Sequence, residues 1–339
     1  MLSRNITSAL SATGERKMNT VDVSIIIVNW NTKELLRNCI SSIYDNAGSF
    51  NFEIIVVDNA SSDGSVDMIS SEFPQAELIR NIENRGFAAA NNQGMLTSKG
   101  RYVLLLNSDT VILHDCIDKA VAFADSQKQA SVVGCRVLNP DKTLQPTCFM
   151  FPSIPNMLLS STYLYKLFPH NRFFGREQMT WWNRDDVRQV DVVTGCFMLV
   201  RREAIEQVGV MDERFFMYGE ETDWCYRFKQ AGWKVMFTPD CEIIHLGGQS
   251  TRNLRAETLI QLRVGILKFI NKHHGRLKHK VACFFTILFF AVRLPVWFIV
   301  STFGPEYKKQ ALVKLRAYVN GIRQIFFNPA DSPLKKVTL

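Results

Sequence analysis

Tyr102-Val103-Leu104-Leu105-Leu106-Asn107-Ser108-Asp109 begins with five consecutive apolar residues. That run is too short to cross a membrane and too uniform for a sheet with one wet face, so it predicts a strand buried on both faces of a parallel sheet. Open α/β sheets bind ligands outside the carboxyl ends of their strands. Here that end delivers a carboxylate, Asp109, behind the small polar Asn107 and Ser108. A carboxylate in that place suits a hard divalent cation, and the cation suits a diphosphate. Asn-Ser-Asp is also good turn chemistry, so a plain strand-ending turn is the competing reading.

Upstream the same pattern repeats. Residues 23–29 form a first buried strand, and a helix follows over 32–44 with Thr32 as its N-cap. Residues 53–58 form a second strand ending in the carboxylate of Asp58, and the polar turn 59–65 opens the next helix. A short strand at 76–80 precedes Asn84-Arg85-Gly86-Phe87-Ala88-Ala89-Ala90-Asn91-Asn92. There a glycine and small residues let backbone and ligand approach, and a helix N-terminus favours anions. Alternating strand and helix gives right-handed parallel units and a nucleotide-type half domain. Residues 1–17 lack the apolar core of a secretory signal, so 1–20 read as a mobile tail, with Met18 as an alternative start.

Downstream, a helix to residue 126 and a strand at 131–137 precede a looser region, 139–189, rich in proline and aromatics and containing Trp181-Trp182. It is either a lid or sugar platform, or a satellite core. Strand returns at 190–200, where Gly195 marks a bulge or a close approach. Glu220-Glu221-Thr222-Asp223 then puts three carboxylates in four residues at the start of a helix reaching 231. Acids there match the helix dipole, and they also serve proton abstraction. A strand at 234–237 and the segment 242–248 present His245 beside two glycines.

Apolar residues make up 47% and charged residues 21% of the chain, an ordinary globular balance that argues against general disorder. Eight cysteines without a Cys-x-x-Cys pair argue against a zinc site or a disulfide framework, and for a reducing compartment. From Arg263 to the end, 14 Lys/Arg face two acids, a balance of +12 that leaves −4 on residues 1–262 of the net +8. The basic character therefore belongs to the tail, which argues against nucleic acid and for an anionic membrane surface as partner.

Each of these signals is weak alone, but their order is specific. From about residue 21 to 250 the sequence resembles family 2 glycosyltransferases of the GT-A fold, in particular the bacterial rhamnosyltransferase-like branch. The family's Asp-Asn-x-Ser-x-Asp-Gly-Ser element is matched by Asp58, Asn59, Ser61, Asp63, Gly64 and Ser65, and its Asn-x-Gly-Phe-x-x-Ala-x-Asn element by Asn84, Gly86, Phe87, Ala90 and Asn91. Its Asp-x-Asp motif appears as Asn107-Ser108-Asp109, its acidic helix start as Glu220-Glu221-Thr222-Asp223, and its His-x-Gly-Gly element as His245-Leu246-Gly247-Gly248. The resemblance implies an α/β GT-A catalytic domain over 21–262, a Rossmann-like mixed sheet with helices on both faces. It implies a nucleotide-diphosphate sugar donor, with dTDP-rhamnose the best guess, contacted by Asn31, Asp58, Asn84, Arg85, Gly86, Asn107 and Ser108. Asp58 would accept from the imide N–H of a uracil or thymine ring. Mg²⁺ or Mn²⁺ on Asp109 and His245 would hold the diphosphate, and Glu221 would be the general base of an in-line, inverting displacement. The acceptor would be a lipid-linked glycan or cell-surface polysaccharide, with Gly195, Asp223 and Trp182 on the acceptor side. Two departures stand out: Asn107 replaces the usual first Asp, and Glu221 stands where Asp is commoner, which keeps Glu220 as a rival base.

A sugar nucleotidyltransferase would want a Gly-rich, Lys/Arg-bearing loop after the first strand, and Asn29-Trp30-Asn31-Thr32 is not one. A non-catalytic membrane scaffold of the same fold would have no need of Asp109 or the acids at 220 and 221, and all are present. Residues 263–339 form a basic, apolar region in which the 24-residue stretch 281–304 is broken by Arg293 and Pro295. With Lys/Arg clusters on both flanks, a re-entrant hairpin turning at Pro295 or an in-plane helix fits better than a single crossing. The expected location is the cytoplasmic face of the inner membrane, and a buried core helix is the alternative.

Overall fold

Runs of Ile, Val and Leu form β1 (Val23–Asn29) and β2 (Phe52–Asp58), followed by the short β3 (Glu77–Arg80) and β4 (Tyr102–Asn107). They are connected by α1 (Lys33–Asp45), α2 (Ser65–Glu72) and α3 (Phe87–Thr97). Next come β5 (Thr110–Ile112), α4 (Cys116–Ser126), β6 (Ala130–Leu138), β7 (Cys148–Phe149), α5 (Ile154–Ser161) and α6 (Leu164–Leu167). The chain returns through β8 (Arg188–Val190), β9 (Val192–Val193), β10 (Phe197–Arg201), α7 (Arg202–Val208), α8 (Glu220–Gln230) and β11 (Lys234–His245). Last are α9 (Arg255–Ala291), α10 (Leu294–Phe303) and α11 (Lys308–Phe327). This computed structural model describes residues 21–162, 164–168, 170–249 and 255–327, and the tail expected at 1–20 lies outside them.

The main sheet has the order β3-β2-β1-β4-β10-β6-β11-β5, with β8 also on β11. β1 pairs parallel with β2 and with β4, while β10 runs antiparallel between β4 and β6. The central strand is thus buried on both faces as its composition requires, but one neighbour is antiparallel and the sheet is mixed. Alternation sends Ile25, Ile27, Leu104 and Leu106 to the face covered by α1, α2 and α4. Ile26, Val103 and Leu105 go to the face covered by α3, α7 and α8. In-register pairing sets Asn29 opposite Asp58 and Val28 opposite Asn107, so three strands end along one line.

Several local details differ from expectation. Thr32 holds the N-cap position of α1 but its side chain makes no cap hydrogen bond. Its hydroxyl is spent on Asn29 instead, 2.7 Å away. The strand expected over 190–200 is divided into β8, β9 and β10, while the segments at 234–237 and 242–245 are one strand, β11, with a register shift between Thr238 and Glu242. The boundary placed at 262 falls inside α9, whose non-helical residue is Gly275 (φ 82°, ψ 172°). The chain does not turn back at Pro295: Arg293 keeps helical dihedrals, and Trp297 N–H donates to the Arg293 carbonyl at 3.2 Å.

The reversal comes after α10, and α11 then runs back along the helices before it. Lys314 lies over the Trp297 ring at 3.7 Å, and Tyr318 packs on Phe290 with 5.7 Å between centroids. Arg293, the charge within the apolar stretch, is buried and donates to the carbonyls of Ser160 and Phe289. It joins the start of α10 to α5 of the catalytic body. Among the described residues one apolar helical stretch, Glu257–Phe303, has the length and composition to cross a membrane, though it is interrupted at Gly275 and again between Ala291 and Leu294.

Candidate active site

The three strand ends carry a continuous hydrogen-bonded chain. Asn29 Nδ2 donates to Asp58 Oδ1 at 2.9 Å and to Ser61 Oγ at 3.0 Å. The Thr32 hydroxyl donates to Asn29 Oδ1 and lies 2.9 Å from the Ser108 hydroxyl. Asp58 accepts a further bond from the Ser61 N–H at 2.9 Å. Beside this network α3 begins at Gly86, whose φ of 82° suits glycine and whose added Cβ would meet the Phe216 carbonyl at 2.2 Å. Asn84 Oδ1 accepts from the Gly86 N–H at 2.9 Å, so the turn fixes the N-terminus of α3 toward the cavity that Asn84 lines.

Asp109 and His245 meet because β5, only three residues long, pairs antiparallel with β11 and sets Thr110 opposite His245. His245 Nδ1 bonds Gln145 Oε1 at 2.6 Å. Gln145 Nε2 is committed to Asn139 Oδ1 and the His245 carbonyl, so Oε1 must accept and Nδ1 must carry the proton. The lone pair on Nε2 then faces Asp109 Oδ1 at 3.2 Å, with Asn107 Nδ2 also at 3.2 Å. Asn107 Nδ2 donates to Nε2, and the imidazole and the Asp109 carboxylate lie side by side, an arrangement that a cation would bridge; an imidazole fixed through its far nitrogen is how metal-bound histidines are held. Among the described residues no group of three or more His, Cys, Asp or Glu is placed to hold a metal ion. One carboxylate and one imidazole suit an ion whose remaining ligands are substrate phosphates and water.

Opposite them, Tyr218 (φ 65°) and Gly219 (φ 107°) make the turn that starts α8. Glu220 and Glu221 line the cavity from its first turn. Glu220 is 2% exposed and its Oε2 has no hydrogen-bond partner. Burial, then the neighbouring Glu221, pushes its carboxyl well above the usual range. Burial also raises Glu221, while backbone N–H groups including those of Gly219 and Gly195 pull it back. The pair therefore holds one proton more readily than two isolated glutamates. A carboxyl with a raised folded pKa adds stability below its unfolded value and loses it as pH rises through the folded value. Glu220→Gln cannot ionise, so it is expected to melt above the wild type at pH 8 and near it at pH 4, by calorimetry.

One cavity of about 470 Å³ is lined, from the expected set, by Asn84, Asn107, Ser108, Asp109, Gly195, Glu220, Glu221 and His245. Residues 24–209 match the family model "Glycosyl transferase family 2". The chain belongs to that family. Among relatives of this glycosyltransferase, the N-acetylglucosaminyl-diphospho-decaprenol L-rhamnosyltransferase of Mycobacterium tuberculosis is 27% identical over 212 residues, 58% of this chain and 67% of that protein. The rhamnosyltransferase WbbL of Escherichia coli is 26% identical over 239 residues, 68% of this chain and 86% of that one. The mannosyltransferase PcManGT from Pyrobaculum calidifontis, solved with GDP-Man and Mn²⁺, superposes with a TM-score of 0.52 at 15% identity, covering 92% of this chain and 88% of that one. The GT-A fold follows, and with it the mixed sheet with helices on both faces.

Other expected site residues of the glycosyltransferase lie elsewhere. Trp182 is buried, packs edge-on against Phe237 with 4.8 Å between centroids and donates its indole N–H to Asp186, so it belongs to a satellite core. Arg184, also buried, organises that region by donating to the carbonyls of Cys148, Gln178, Met179 and Trp182. Asp223 turns away from the cavity into ion pairs with Arg227, Lys272 and His273, because its place on α8 faces α9. Asn31 is exposed and braces the 61–62 loop, accepting from the Ser62 N–H at 2.7 Å. Arg85 is exposed and Asp58 and Gly86 are buried, none of them lining the cavity. Lining residues that sequence reasoning missed include Trp30, Gln145, Met150, Glu177, Ile266 and Phe269. Gln145 and Glu177 sit in irregular segments that give no periodic signal, and Ile266 and Phe269 lie beyond the boundary expected at 262.

Proposed function

We propose that the chain is a metal-dependent, inverting glycosyltransferase that moves a sugar from a nucleotide-diphosphate donor to a lipid-linked glycan or cell-surface polysaccharide. The observation that carries this reading is the placement of the Asp109–His245 pair, the buried Glu220 and the half-buried Glu221 on one cavity. Rhamnose from dTDP-rhamnose is the donor favoured by the rhamnosyltransferase names among its relatives.

Asp109 and His245 would hold Mg²⁺ or Mn²⁺, which when bound supplies positive charge to the diphosphate. Gln145 keeps the His245 lone pair turned inward. Asn84, Ser108 and the N-terminus of α3 border the donor half, where N–H groups favour anions. Asp58, at the adjoining strand end, is the candidate for recognising the donor's base ring. Glu221 takes the proton of the acceptor hydroxyl, whose oxygen bonds the anomeric carbon as the bond from that carbon to the phosphate oxygen breaks. The electron pair leaves with the nucleoside diphosphate. A carboxylate raised by burial is a stronger base than a solvated one. On the acceptor half Leu262, Ile266 and Phe269 of α9 make an apolar wall, which favours a lipid-linked acceptor.

The tail would hold the enzyme on the cytoplasmic face of the inner membrane. No residue of α10 is buried, and Phe298, Ile299 and Phe303 are exposed. α11 adds Lys308, Lys309, Lys314, Arg316 and Arg323, each contributing about 1 kcal/mol near an anionic surface. Cysteines introduced at Lys278 and Lys309 should both resist a membrane-impermeant thiol reagent in intact cells. A Cys283→Ser background suffices, since the other seven native cysteines are buried. Labelling at 309 alone would show a crossing.

The proposed chemistry is tested by proton NMR of the transferred sugar. With a donor that the enzyme turns over, the anomeric configuration in the product should be opposite to that in the donor. Retained configuration would sink the single-displacement reading.

A further inference from the structure

One face of α9 grips the whole segment that carries the acids. Gln261 Nε2 donates to the Met217 carbonyl at 2.9 Å. One turn on, Gly265 lies against Tyr218 so closely that a Cβ would meet the Tyr218 carbonyl at 2.2 Å. Lys268 Nζ donates to the Arg214 carbonyl at 2.7 Å. Lys272 Nζ bridges Asp212 Oδ2 at 2.7 Å and Asp223 Oδ1 at 2.6 Å, and His273 Nε2 donates to the same Asp223 oxygen at 2.7 Å. Positions 261, 265, 268 and 272 recur at helical spacing and form one stripe. Asp223 has a side-chain exposure of 0%, and Arg227 of its own helix supplies its remaining ion pair at 2.8 Å.

We propose that Asp223, Lys272 and Gln261 are positioning residues, through which α9 sets the placement of Glu221 in the cavity. This rests on the reading of Glu221 as general base. The loop between α7 and α8 has two residues, Tyr218 and Gly219, in left-handed conformations immediately before the acids. Such a turn persists only where its surroundings over-determine it. The stripe on α9 supplies that determination at both ends of the loop, at Asp212 to Arg214 and at Met217 to Asp223. Past the break at Gly275 the chain continues into the apolar tail, so the helical segment that grips the acid-bearing loop directly precedes it.

The test is steady-state kinetics of full-length variants, with donor binding measured separately by titration of the nucleoside diphosphate with Mn²⁺. Lys272→Met and Gln261→Leu should each lower kcat about tenfold, and Asp223→Asn up to about 10²-fold, the scale at which displaced catalytic geometry is felt. Nucleotide affinity should stay within twofold, because the donor half is built from other elements. Lys272→Arg should recover most of the kcat lost in Lys272→Met, and Asp223→Asn combined with Lys272→Met should lose no more than Asp223→Asn alone. If Asp223→Asn does not fold, the two α9 variants decide the matter. Unchanged kcat in those folded variants, or a loss that appears equally in nucleotide affinity, overturns the proposal. A fully active Glu221→Gln would instead defeat the base assignment beneath it.

Discussion

Glu221→Gln is expected to lower kcat by about 10²- to 10⁴-fold, the usual contribution of a positioned general base. Glutamine keeps the size and hydrogen-bonding reach of the side chain but cannot take the acceptor's proton, so the loss falls on the transition state and not on donor binding. Donor affinity should therefore stay close to that of the wild type. The pH profile gives a second handle. Burial raises the Glu221 carboxyl, and the base works only when ionised. Wild-type kcat should accordingly fall as pH drops through a value above the ordinary glutamate range, and that limb should vanish in Glu221→Gln. A larger loss for Glu220→Gln than for Glu221→Gln would exchange the two roles.

Asp109→Ala is expected to reduce turnover about 10³-fold or more while the protein still folds. A metal held there would supply charge to the leaving diphosphate worth several kcal/mol, and each 1.36 kcal/mol is a factor of ten. Asp109 lies just beyond the end of β4, outside the apolar layers, and its side chain is turned to His245. Removing it deletes the proposed metal ligand without opening the core, so the melting temperature should change little. Metal-dependent nucleotide binding, read by calorimetry with Mn²⁺ and with EDTA, should disappear in the variant.

What the sequence discloses follows from how local each signal is. β1, β2 and β4 are legible because a strand buried on both faces must be a nearly unbroken run of Ile, Val and Leu, as at 25–28, 54–57 and 103–106. Asp109 and Glu221 are legible because strand ends and helix starts are where sheets of this kind place their chemistry. β5 is not, since three residues carry no periodicity, yet its pairing with β11 is what sets His245 beside Asp109. Gln145, which fixes the His245 tautomer from 100 positions away, gives no sign of that role in its own segment. Trp182 and Asp223 mislead for the opposite reason: aromatics and clustered acids suggest a site, while their partners Phe237, Lys272 and His273 are distant in sequence. The part of α9 that precedes the apolar stretch 281–304 gave no site signal, yet its Leu262, Ile266 and Phe269 line the cavity.

The central claim is that Asp109 and His245 hold a metal against a nucleotide-sugar diphosphate in the cavity that Glu221 serves. It is tested most directly by nucleoside diphosphate release from dTDP-, UDP- and GDP-sugars by the purified full chain, with Mn²⁺ or Mg²⁺ and then with excess EDTA. The expected result is metal-dependent release, strongest with dTDP-rhamnose, that EDTA stops and added metal restores. Release that persists undiminished in EDTA, or none from any of these donors with metal present, would contradict it.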